Sequence, residues 1–148
     1  MMISFLLALS LQAATISTVN RKAILTPVNA AFAALETGDA PALLRHVYPD
    51  GRVTAVGRLA GGTSELRLSS WREYAARMKP GAGFKERITN PVIEMDGDVA
   101  LVWAPFTIER DGKIVSCGYD HFDMVRQDKV WKIMNITFSS RTAGCPGR

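Results

Sequence analysis

The chain has 148 residues, with 18 Lys and Arg against 14 Asp and Glu and a formal net charge of +4 at pH 7. That length suits one domain, which can bury an ordinary core without metal or disulfide staples. Hydrophobic residues at 47% and charged residues at 22% match globular averages, which excludes a large disordered tail. The cations are dispersed among the acids instead of forming an aromatic-studded stripe, so no nucleic-acid partner is expected.

Residues 1–14, MMISFLLALSLQAA, are apolar, too short to span a bilayer as a helix, and end in small residues. They read as a signal peptide, which makes the chain an exported protein, periplasmic or secreted. The alternative is a buried amphipathic helix, because the α-amine is the sole positive charge and Leu11 is bulky for a cut after Ala13. Nothing further along is apolar and uninterrupted enough for a membrane helix, so no stable membrane insertion is expected once the leader is removed. Cys117 and Cys145 are too few and too far apart for a paired-spacing zinc site. A disulfide between them is permitted without being implied.

Thr26-Pro27 reads as a cap followed by a first-turn proline. Val28, Ala31, Phe32 and Leu35 then recur at helical spacing up to Gly38, and an earlier start near Ser17 is open. Asp39 caps a short second helix through Leu43, Leu44 and Val47, ended by Pro49, Asp50 and Gly51. Residues 52–57 alternate as a short strand, and Gly61-Gly62 turns the chain into an extended piece ending near Leu68. Ser70 and Glu73 have capping-box spacing and open a third helix of about three turns, carrying Trp71, Tyr74, Ala75 and Met78. From Phe84 onward the pattern is a four-strand antiparallel meander over residues 84–95, 99–109, 113–126 and 130–139.

Turns set register, and register decides which side chains share a face. The Asp111-Gly112 hairpin signal pairs Arg110 with Lys113 and puts Trp103 opposite Asp120 and Leu101 opposite Phe122. A turn at Gln127-Asp128 puts Phe122 opposite Ile133, Asp120 opposite Asn135 and Asp123 opposite Lys132. One face is then dry along Phe122, Met124, Trp131 and Ile133, and becomes polar where Trp103, Asp120, Asn135 and Thr137 gather. The other face carries Tyr119, His121, Phe106 and Phe138, an apolar patch that reads as a homodimer interface.

Helix, Gly-Asp corner, short helix, hairpin, helix and meander is an order that resembles the nuclear transport factor 2-like superfamily over residues 20–140. Its most specific pieces are Ala34-Leu35-Glu36-Thr37-Gly38-Asp39, Asp96-Gly97-Asp98-Val99-Ala100 and Val125-Arg126-Gln127-Asp128-Lys129-Val130-Trp131-Lys132-Ile133. Among its branches the chain is most similar to the bacterial SnoaL-like and lumazine-binding-like proteins. The resemblance implies an α+β cone: a curved antiparallel sheet wrapped around three helices, often dimeric through its other side. Residues 20–140 then form a single domain, and residues 141–148 a C-terminal tail. The superfamily hosts isomerases, dehydratases, hydrolases and members without chemistry, so the site must be argued from its residues.

Asp120 is the candidate catalytic residue: beside Trp103 its charged form is desolvated, its pKa rises and it can exchange protons near neutral pH. Asn135, Thr137, Phe122, Tyr48 and Tyr74 are the candidate ligand-binding residues around it. The plainer reading is that Asp120 accepts hydrogen bonds from Asn135 and the backbone and does no chemistry. His121 points to the opposite face and reads as an interface residue, and His46 as a cap or surface residue. The histidines and acids show no metal spacing, and Gly57, Gly61, Gly62, Gly81 and Gly83 match no phosphate or dinucleotide loop, so neither metal nor cofactor is expected. Three functions follow. The leading one is binding of a small apolar or aromatic molecule. The others are a cofactor-free isomerase or hydrolase-type enzyme with Asp120 as general base, and a protein-interaction domain using the outer sheet face.

Overall fold

The structure, a computed structural model, describes residues 16–58, 63–81 and 83–147; residues 1–14 and the Gly61-Gly62 turn lie outside them. Helix α1 (Thr18–Thr37) begins at Ser17, whose hydroxyl accepts from the Asn20 N–H (3.2 Å). The earlier start holds, and Thr26 is no cap: its hydroxyl donates back to the Lys22 carbonyl (2.8 Å) inside the helix. Gly38 closes α1 in the left-handed region (φ 71°), and Asp39 at once caps α2 (Ala40–His46) by accepting from Ala42 N–H (2.8 Å). A reciprocal Ser70–Glu73 capping box opens α3 (Trp71–Ala76). This helix is shorter than expected because Arg77 and Met78 already make three-residue bonds to Tyr74 and Ala75, tightening its end.

Seven strands form one sheet: β1 (Arg52–Arg58), β2 (Ser64–Ser70), β3 (Lys85–Ile88), β4 (Val92–Asp96), β5 (Val99–Arg110), β6 (Lys113–Gln127) and β7 (Val130–Arg141). Their order is β2-β1-β7-β6-β5-β3, with β4 also on β5. The sheet is mixed, not antiparallel throughout, since β1 runs parallel to β7 with Val53 beside Ile136. Most of the domain separates these two strands in sequence, so no turn dictates their direction. The expected strand over residues 84–95 splits at Asn90 (φ 44°) and Pro91, where the ladder bond is lost, and both halves pair with β5.

Two bulges overturn the expected registers. Asp111-Gly112 does pair Arg110 with Lys113, but between Ile108 and Glu109 the ladder slips by one, so Val115 has no partner and Trp103 lies opposite His121. The next turn is Asp128-Lys129, both at positive φ (50° and 68°), which pairs Gln127 with Val130. That turn shifts the expected pairing by two residues, and a second bulge that leaves out Met134 shifts it by one more, so Asp123 faces Asn135 and not Lys132, while Asp120 faces Phe138. Met134 turns its carbonyl to Trp71 Nε1 (3.1 Å), which ties the bulge to α3.

The helices cover one sheet face. Ile24, Val28, Ala31, Phe32 and Leu35 of α1, Leu43 and Val47 around α2, and Trp71 and Ala75 of α3 pack on Val102, Phe122, Met124, Ile133 and Ile136. Full burial of such side chains contributes about 1.5–3 kcal/mol each. Phe106, Gly118, Asp120 and Phe138 belong to this face, and a Cβ at Gly118 would strike the Ser139 carbonyl and the Phe106 ring. The other face is open and carries Trp103, Tyr119, His121 and Thr137. At one end the Cys117–Cys145 disulfide pins the C-terminal segment to β6 across 28 residues. No described helix is long and apolar enough to cross a membrane.

Candidate functional site

Two carboxyl groups reach the helix-covered face from different strands. Asp120, on β6, is 0% exposed, and neither carboxylate oxygen has a hydrogen-bond partner among the described residues. Its strand partners Ala104 and Phe138 offer no polar side chain. Burial first, and the neighbouring Glu86 charge second, push its pKa up to about 9. Glu86, on β3, is 8% exposed, and burial pushes its pKa up to about 7. Its own neighbours Lys85 and Arg87 reach Glu36 of α1 (3.7 and 3.2 Å) instead, so the Glu86 carboxyl has no ion pair or hydrogen bond among the described residues, and Glu86 also borders an outer opening of about 230 Å³ beside Glu36 and Arg87.

Glu86 borders a cavity of about 80 Å³ whose other walls are apolar or aromatic, among them Phe32, Leu35, Trp71, Tyr74, Phe122 and Phe138. Leu35, Tyr74 and Phe84 also border a wider cleft of about 330 Å³ that continues outward past Arg77, Met78 and Lys79. Tyr74 stands edge-on to Trp71 (6.1 Å between ring centroids), and burial followed by the Glu86 charge raises its hydroxyl pKa. The arrangement offers a ligand one apolar slot, one carboxyl able to carry or release a proton near neutral pH, and one phenol at the rim. Among the described residues no cluster of His, Cys, Asp and Glu could hold a metal ion.

The sequence-derived constellation separates in three dimensions. Phe122 and Tyr74 line the cavity, whereas Asp120 sits behind its wall, outside the lining residues. Trp103 lies on the open face, 46% exposed and stacked on Tyr119 (5.1 Å, 22° between planes), because the β5–β6 bulge turns it outward. Asn135 is on that face too: its Nδ2 donates to Asp123 (3.0 Å) and its Oδ1 accepts from Arg52 N–H (2.8 Å). Thr137 is exposed there, and the Tyr48 ring lies 6.0 Å from Lys132 Nζ, so none of these three meets Asp120. Of the residues assigned to an interface, Tyr119 and His121 do occupy the open face, with His121 Nε2 3.7 Å from Asp123. Phe106 and Phe138 do not; they pack edge to face (6.3 Å) under the helices.

Glu86 escaped the sequence reading. The signal was present in Phe84, Glu86 and Ile88, which alternate on one face of a short strand, so that an acid between two apolar residues points inward. Replacing Asp120 by Asn is expected to stabilise the fold increasingly as pH rises. The native carboxyl keeps its proton to about pH 9, whereas the unfolded chain releases it near the ordinary value of 3.8. Between those values the unfolded state binds fewer protons, so wild type loses stability with rising pH and the Asn variant lacks that loss. Denaturant unfolding at pH 5, 6 and 7 should show the gap widening by up to about 1.4 kcal/mol per pH unit. A constant gap would mean that Asp120 is ionised in the native state.

Comparison with curated proteins returns no match. Solved structures give the fold. A protein of unknown function with a cystatin-like fold from Nostoc punctiforme superposes with a TM-score of 0.69 at 12% identity, covering 88% of this chain and 97% of that one. A nuclear transport factor 2-like protein of unknown function from Methylobacillus flagellatus gives 0.62 at 21% identity, covering 87% and 98%. Another such protein from Novosphingobium aromaticivorans, with a cystatin-like fold, gives 0.65 at 15% identity, covering 86% and 85%. The family model described as "Putative lumazine-binding" matches residues 19–139, and the chain belongs to that family.

Proposed function

We propose that this chain is an exported, homodimeric domain that binds a small organic molecule between α1, α3 and the sheet. The observation that carries the reading is Glu86: a buried, unpaired carboxyl at the wall of an otherwise apolar cavity. A ligand that supplies a partner restores a hydrogen bond that this mostly buried carboxyl lacks among the described residues. The cavity alone is smaller than the roughly 150 Å³ known to hold one benzene. Occupation therefore involves the adjoining cleft, with Tyr74 or Phe84 moving aside. Lumazine, the bicycle in the family's description, needs both spaces.

A catalytic reading also has support, but it rests on Glu86 and not on Asp120. Glu86 faces the cavity and titrates near neutrality, as a general acid or base should, whereas Asp120 is held protonated behind the wall. Binding is tested by titrating isotope-labelled protein with phenol and, separately, with lumazine. Saturable methyl shifts at Leu35, Ile108 and Ile136 are expected, and Ala31→Leu, which fills the cavity, should suppress them. A folded wild type that shows no such shifts with either probe would end the pocket reading.

Dimerisation is supported by the open face, where Trp103 and Tyr119 stay 46% and 40% exposed. Trp103→Glu should lower the solution mass from two chains to one without lowering the melting temperature. A wild type that is already monomeric at high micromolar concentration contradicts the dimer. Export is supported by the composition of residues 1–14 and by the Cys117–Cys145 bridge, since such bonds persist in oxidising compartments. Mass measurement of the mature protein should show loss of about the first 13 or 14 residues; a full-length cytoplasmic form would refute export.

A further inference from the structure

The sign of the local charge reverses across Tyr74. Inside lies Glu86; outside, Arg77 borders two openings at once. One is the 330 Å³ cleft with Lys79, and the other is a cleft of about 520 Å³ with Arg67, Ser69 and Phe138. Neither Arg77 nor Lys79 has an ion pair or side-chain hydrogen bond among the described residues, and Arg67 has only an exposed neighbour, Glu65, at 3.9 Å. Both Arg77 and Arg67 act on the Tyr74 hydroxyl, lowering its pKa against the opposing effects of burial and Glu86. The phenol thus marks the boundary between a carboxyl-lined interior and a guanidinium-lined mouth.

A cationic ligand would have to pass these exposed cations, and an anion would be drawn to them, above all to Arg77, which has no ion pair among the described residues. An anion driven wholly inside would lose its hydration among apolar walls and meet Glu86 without a cation to pair with, so its charge stops at the mouth. We propose that the site selects an elongated organic anion: its carboxylate pairs with Arg77, its apolar ring fills the slot beside Leu35, Tyr74 and Phe84, and an uncharged oxygen at its far end accepts a hydrogen bond from the Glu86 carboxyl. This assignment rests on the pocket reading and adds the ligand's chemical class to it. The groups facing Glu86 are Asp120 from β6, Tyr74 from α3 with Arg77 and Arg67 beyond it, and Glu36 and Arg87 along the β3 edge.

The test uses three probes of matched shape on the full chain: 3-(4-hydroxyphenyl)propionate, the corresponding propanol and the corresponding propylamine, titrated calorimetrically at pH 6. The propionate is expected to bind about tenfold or more tighter than the propanol, with the amine weakest. Arg77→Gln, an exposed substitution, should erase that preference while leaving propanol affinity unchanged. Raising the pH from 6 to 8.5 should weaken propionate binding as Glu86 loses the proton it donates, and Glu86→Gln, which keeps a donor, should bind with no such dependence. Equal or tighter binding of the amine, or an acid preference that survives Arg77→Gln, overturns the proposal and leaves the pocket standing. Failure of all three probes to bind removes the pocket reading and this inference with it.

Discussion

Two single-residue slips in the ladders of β6 decide which side chains the sheet presents beneath its helices. Strand side chains alternate between faces, so one unpaired residue exchanges the inward and outward sets for everything beyond it. Val115 sends Ala104, and not Trp103, to the face shared with Asp120; the Asp128-Lys129 turn carries the β7 pairing from Asn135 to Thr137, and Met134 then puts Phe138 in place of Thr137 on its other side. Asp120 is thereby walled in by small and aromatic groups, and Trp103 is handed to the open face. The Met134 bulge is held by Trp71 Nε1 and by the close approach of Gly51, where any Cβ would collide with the Met134 carbonyl. The start of α3 and the corner after α2 are therefore built around that irregularity.

Much of the fold was legible because it is local. Ser17, Asp39 and the Ser70–Glu73 box speak to their own next turn, and Asp111-Gly112 to its own hairpin. The register failed where the deciding contact lies far off in sequence. Nothing near Met134 announces that an indole from α3 will take its carbonyl, and nothing near β1 announces a parallel neighbour in β7. The candidate site suffered more than the fold, since a site is a set of inward positions and inherits every slip. Asp120 was read as perturbed and is so, but the residues assembled around it were those of the wrong face. The signal for Glu86 is faint beside that of the meander's long strands, because its alternation is confined to the short strand β3 and the residue before it.

Two carboxyls near one another under the helices are an expensive arrangement. Each alone would prefer to be neutral there, and the ionisation of either makes the other harder to ionise. Packing could have filled the space with Leu or Met at lower free energy, as buried ionic groups are often replaceable by hydrophobic ones. Only one of the two borders the cavity: Glu86 lines it, and Asp120 does not.

Asn135 shows a different kind of constraint. Its amide donates to Asp123 on β6 and accepts from the backbone of Arg52 on β1, so one side chain joins three strands beside the bulge. An amide carries the donor and the acceptor on separate atoms, as these two bonds in different directions use them. Hydrolysis of that amide to a carboxylate would delete the donor and set two negative charges face to face, making this residue a point at which slow chemical ageing loosens the sheet. These two bonds alone account for an asparagine here, so its persistence at this position would testify to architecture and not to any bound molecule.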